Sequence, residues 1–110
     1  LVGVLLLSAS GCHSAFIYGT MTNHGPAIRT VEVDYPSQSF GTEQVAKDQT
    51  IRFRFKVQGS GPVKLQFMDI AGKTHTSTGP SLIESSEGTL AIDIDSAENV
   101  AWSPQLHTSN

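Results

Sequence analysis

Apolar and polar residues alternate with a period of two along most of this chain. The clearest run is Ile51 to Val57, where Ile51, Phe53, Phe55 and Val57 fall on one side and Arg52, Arg54 and Lys56 on the other. Successive side chains of an extended backbone point to opposite faces, so the pattern predicts a strand with one buried and one wet face. Val31, Val33 and Tyr35 alternate in the same way with Glu32 and Asp34, and Val63, Leu65 and Phe67 with Lys64, Gln66 and Met68. Leu90, Ile92 and Ile94 alternate with Ala91 and Asp93. Ala15 to Thr22 reads as a first strand in which Gly19 marks a bulge or a close backbone contact. Thr74 to Thr78 reads as the return strand of a hairpin closed at Asp69 to Lys73, with Gly72 free to take positive φ. Val100 to Ser103 is a last short strand anchored by Trp102.

Turn signals separate these runs at Asn23-His24-Gly25-Pro26, Gly59-Ser60-Gly61-Pro62, Gly79-Pro80, Ser85-Ser86-Glu87-Gly88 and Ala97-Glu98-Asn99. Ser37 to Gln49 has no clear period and is expected as the longest irregular stretch, with Phe40 plugging the core from it. Pro104 is expected to end the last strand and Gln105 to Asn110 to fray. No segment has a helical period. About seven short strands with regular turns predict an all-β fold, an antiparallel β-sandwich of immunoglobulin-like or fibronectin-III-like architecture. The Cys…Trp…Cys spacing of true immunoglobulin domains is missing, so the likeness is one of architecture, and sandwiches host many unrelated functions. Phe53, Phe55, Phe67 and Trp102 take inward positions by parity, as core residues rather than a ligand platform.

The first twelve residues depart from this pattern. Leu1, Val2, Val4, Leu5, Leu6 and Leu7 form an uncharged apolar run, followed by Ser8, Ala9, Ser10 and Gly11 and then by the single cysteine, Cys12. An apolar stretch breaking into small residues is the body of an export signal. Its positive leading region and an initiating Met are missing from the sequence, which is expected for a truncated or mis-started signal. Ser8-Ala9-Ser10-Gly11-Cys12 resembles the lipobox of bacterial lipoproteins, with Ala9 where Leu is commonest. That resemblance implies a diacylglyceryl group on the Cys12 thiol, cleavage before Cys12 by signal peptidase II, and acylation of the new amino terminus with a fatty acid such as palmitate. Membrane lipid is then the implied partner. Each buried methylene contributes about 0.8 kcal/mol, and two or more chains anchor stably where one does not. His13, not Asp, follows the cysteine, which for a Gram-negative lipoprotein implies the outer membrane.

Three other readings stay open. Ala9-Ser10-Gly11 also resembles an A-x-A type site, which would release a soluble protein. Residues 1–19 carry no Lys, Arg, Asp or Glu, as an uncleaved span would require, although Ser8 to Ser14 is polar for a helix centre. Cys12 is otherwise an ordinary buried cysteine. An odd cysteine in an exported protein needs an explanation, and lipidation supplies one. The chain therefore divides into a signal at 1–11, the lipid-anchor site and first strand at 12–22, and the remainder of a single sandwich domain at 23–110.

Charge narrows the function. Only 15% of residues are charged and the net charge is −3, so there is no basic field to attract nucleic acid. Arg52, Arg54 and Lys56 read as the wet face of a strand, with Glu32 and Asp34 opposite them, and polyanion binding is the alternative. Gly59-Ser60-Gly61 lacks the spacing and context of a nucleophile elbow. His13, His24, His75 and His107 are scattered without zinc-ligand spacing, and His75 is expected to face solvent from its strand. Asp93, Asp95 and Glu98 lack the pattern of a calcium loop and read as a solvated acidic turn. The expectation is no catalytic residue, no cofactor, no bound metal, and lipidation at Cys12. The function expected is a non-enzymatic structural or interaction module, anchored in the cell envelope and facing the periplasm or the cell exterior. The alternative is a module binding carbohydrate or cell-wall polymer through the Ser37 to Gln49 segment.

Overall fold

A computed structural model describes residues 15–108, which form eight strands and no helix. The strands are β1 (Ile17–Asn23), β2 (Ile28–Tyr35), β3 (Gln38–Val45), β4 (Thr50–Phe55), β5 (Gly61–Met68), β6 (Thr74–Leu82), β7 (Ser86–Ile94) and β8 (Val100–Thr108). They make two four-stranded sheets, ordered β4-β1-β7-β8 and β3-β2-β5-β6. Every pairing is antiparallel except β1 with β7, which run parallel.

The stretches with the strongest period-two pattern became β2, β4, β5 and β7. Val31, Val33, Phe53, Phe55, Val63, Leu65, Phe67, Leu90, Ile92 and Ile94 are all buried in one core between the sheets. Trp102 packs against that core and donates its indole N–H to Ser77 Oγ at 2.9 Å, linking β8 of one sheet to β6 of the other. The expected all-β sandwich is therefore present, with one strand more than the pattern predicts.

That extra strand is β3, which lies inside the stretch expected to be irregular. It is a sheet edge, exposed on most of its length, and its hydrogen bonds go to β2 alone. An edge strand with little to bury leaves no hydrophobic period to detect. Phe40 does pack inward from it, its ring 5.4 Å from that of Phe53. Two proline signals also misled. Strand β8 continues through Pro104 to Thr108, and β6 continues through Gly79-Pro80 to Leu82. Both are edge strands, where a residue without an N–H is tolerated. Ser86, Glu87 and Gly88, expected within a turn, instead begin β7.

Gly19 makes the close contact its place in a strand suggested. It lies opposite Phe53 on β4, and an added Cβ would overlap the Cε2 and Cζ atoms of the Phe53 ring. That ring stacks with Phe40 and Phe55 and has little room to retreat. Gly19→Ala is expected to destabilise the domain by about 1–3 kcal/mol through overpacking, read as a lower urea midpoint. A midpoint equal to the parent's would show that the ring moves freely.

The strand registers give the sandwich two distinct ends. One carries the start of β1, the Tyr35–Gln38 hairpin and the end of β8. The other carries the two remaining hairpins, 69–73 and 95–99, beside the β1–β2 and β3–β4 crossings. The crossings are pinned by buried Asn23, whose Nδ2 donates to Pro26 O at 2.9 Å and Val45 O at 3.2 Å. Its Oδ1 accepts from the Gly25 amide at 3.0 Å. A buried amide side chain satisfied in this way fixes two connections at once.

Candidate functional site

The 69–73 and 95–99 hairpins are built alike. Each opens with an aspartate whose Oδ1 accepts two backbone amides: Ala71 and Lys73 from Asp69, both 2.9 Å, and Ala97 and Asn99 from Asp95, 2.8 and 2.9 Å. Each places its fourth residue in the left-handed region. In the first hairpin this is Gly72, at φ +85°; in the second it is Glu98, at φ +65°. A side chain at such a position raises the local energy by about 1 kcal/mol or more.

The two hairpins belong to different sheets, whose edge strands β6 and β8 are neighbours. There, ligand-type atoms of Asp69, His75 and Glu98 all lie within 4.8 Å of one another. Asp69 is buried, and its Oδ2 lies 2.8 Å from His75 Nε2. The His75 ring stacks on Phe67, centroids 4.9 Å apart and planes 6° from parallel. Hydrogen bonds from His75 and then from the Lys73 and Ala71 amides hold the Asp69 carboxyl below the usual carboxylate range. This contribution to stability is present at neutral pH and is lost as pH falls through the depressed value. Glu98 Oε2 is closed off from solvent and has no hydrogen-bond partner among the described residues. A buried acceptor left unsatisfied costs about 1–3 kcal/mol, and a charged one more.

His75 is therefore not the solvent-facing histidine expected from the alternation of its strand. It stacks over a core aromatic and is shielded by two carboxylates. The acidic group Asp93, Asp95 and Glu98 does not stay together either. Asp95 caps its own turn, Asp93 lies 3.2 Å from His24, and Glu98 reaches to the other sheet. His107 sits 3.0 Å from Glu87 on the surface. Arg52, Arg54 and Lys56 are exposed as expected, but β4 and β2 belong to different sheets. Arg52 faces Thr20, and Arg54 lies over the Phe16 ring at 4.6 Å. Glu32 and Asp34 sit opposite Gln66 and Lys64 instead. Ser60 lies in an exposed turn between β4 and β5. Cys12 lies outside the described residues.

An open groove of about 710 Å³ crosses the outer face of β2 and β3, lined by Arg29, Glu32, Ser39, Thr42 and Glu43 among others. Thr30, at φ +51°, also lines it and lies within the register shift between Arg29 and Glu32 of β2. No aromatic side chain lines it.

No family model matches the chain, and no curated protein resembles it in sequence. Among solved structures it is similar to the NMR structure of a protein from Eubacterium rectale, with a TM-score of 0.54 and 12% identity. The match covers 84% of this chain and 88% of that one, and at this identity it speaks for the fold alone.

Proposed function

We propose that this chain is a lipid-anchored, non-enzymatic interaction module of the bacterial cell envelope, tethered through acyl chains on Cys12. The observation that carries the reading is Ser8-Ala9-Ser10-Gly11-Cys12, which follows an uncharged apolar run and directly precedes a sandwich whose first strand starts at Ile17. From Cys12 to Ile17 the chain reaches at most ~17 Å. Such a tether keeps the β1-start end beside the headgroups and turns the 69–73 and 95–99 hairpins outward, toward the periplasm or the cell exterior. His13 after the cysteine favours the outer membrane.

The immunoglobulin- or fibronectin-III-like character belongs to this proposal as a likeness of layers. The order β4-β1-β7-β8 differs from the ABED sheet of an immunoglobulin constant domain. A second reading, binding of a carbohydrate or cell-wall polymer, has the groove on β2 and β3 in its favour. Phe40 of β3 packs against the core and does not line the groove.

The test is direct. In cells expressing the chain behind a complete lipoprotein signal, labelled palmitate is expected in the protein, and the protein in the membrane fraction. Cys12→Ser is expected to abolish both. Equal membrane association of variant and parent would rule the anchor out.

A further inference from the structure

We infer that Asp69, His75 and Glu98 form a binding site for a divalent transition ion of the zinc class. Two carboxylates and one imidazole are a donor set for zinc and its neighbours, since calcium and magnesium favour all-oxygen shells. Zinc–ligand bonds of about 2.0–2.2 Å in tetrahedral geometry put donor atoms roughly 3.3 Å apart. The three ligand atoms already lie within 4.8 Å of one another, so the longest separation has to shorten by no more than about 1.5 Å to reach that spacing.

Two features show a site built for more than an ion pair. Asp69 is 8% exposed, and its Oδ1 is occupied by the Ala71 and Lys73 amides, which leaves Oδ2 aimed at His75. Such outer hydrogen bonds orient metal ligands. Glu98 Oε2 is shielded from water with no partner among the described residues, an acceptor that a cation at this point would satisfy. Coordination through His75 Nε2 needs its lone pair, so the ring N–H that faces Asp69 moves to Nδ1 and the ion takes the place of that hydrogen bond. Three protein ligands leave a fourth position for water or for a donor from a partner. Because Glu98 comes from the loop of one sheet and Asp69 and His75 from the other sheet's hairpin, the ion would join the two sheets at this end.

The competing explanation is that His75 only hydrogen-bonds to Asp69 beside Glu98 and no metal binds. The full chain, stripped with EDTA in detergent, separates them. Saturating Zn²⁺ is expected to raise its melting temperature by about 5 °C or more, and Ca²⁺ at the same concentration to leave it unchanged. Glu98→Gln keeps the shape of the side chain and removes the carboxyl group whose Oε2 lacks a partner among the described residues, so the stripped variant is expected to melt no lower than the parent. Its zinc affinity is expected to fall at least tenfold, as is that of His75→Ala. No zinc-dependent rise in the parent would overturn the site. An equal rise in Glu98→Gln and His75→Ala, or an equal response to Ca²⁺, would overturn it as well.

Discussion

Alanine at position 88 is expected to destabilise the domain by about 3 kcal/mol or more, from two penalties that add. Gly88 has φ +129°, a region that L side chains rarely enter, and occupying it raises the energy by about 1–3 kcal/mol. An added Cβ would also overlap the carbonyl oxygen of Gln105 and crowd Leu106 Cα at 3.2 Å. These are backbone atoms of the paired strand β8, which cannot rotate aside as a side chain can. Gly88 is further held from the other side, its amide donating to Phe16 O at 3.2 Å. For a domain of this size the loss corresponds to a fall in melting temperature of more than about 10 °C. Urea unfolding should show a lower midpoint with unchanged slope. A loss under about 1 kcal/mol would mean that β8 peels away from β7 at little cost.

Phe67→Ala is expected to cost about 3–5 kcal/mol, the range for emptying a fully buried aromatic site. Phe67 is 0% exposed in the central strand β5, and its ring is also the platform on which His75 lies. Phe67→Leu fills most of the volume without the flat face, and is expected to cost about 1–2 kcal/mol. The pair separates packing from stacking. In the leucine variant the fold remains, while the histidine loses its support and its NMR ring resonances should broaden or move. Equal losses in the two variants would show that volume is not what matters at this position.

The two sheets were legible wherever a strand buries one face and wets the other. Ile51 to Val57 and Val63 to Met68 declared themselves because Phe53, Phe55, Leu65 and Phe67 have to be covered. The edges were not legible in the same way. Gln38 to Val45 buries little, and its place depends on backbone hydrogen bonds to β2, which leave no trace in side-chain chemistry. Pro104 and Pro80 read as stops because a central strand would not accept them, and the chain alone does not say which strands are central. The candidate site was hidden for a further reason. Asp69 and His75 lie within one hairpin and could have been paired, but Glu98 joins them only when two sheets stack. Its one local sign was its place at the position Gly72 fills in the matching loop. A glutamate where backbone geometry favours glycine was the clue to follow.

The parallel pairing of β1 with β7 sets the order in which this molecule can form. Ile17 has to find Gly88, and Asn23 has to find Ile94, across most of the sequence, whereas β2 can zip to β3 at once through a tight hairpin. Contacts so distant along the chain close late, because the entropy of the intervening loop is lost before any contact rewards it. Refolding after dilution from urea should therefore run in milliseconds to seconds rather than microseconds. During synthesis β1 can pair with β4 once Phe55 has emerged, but its other edge stays open until Ser86–Ile94 follow, so the centre of that sheet closes only after six of the eight strands have been made.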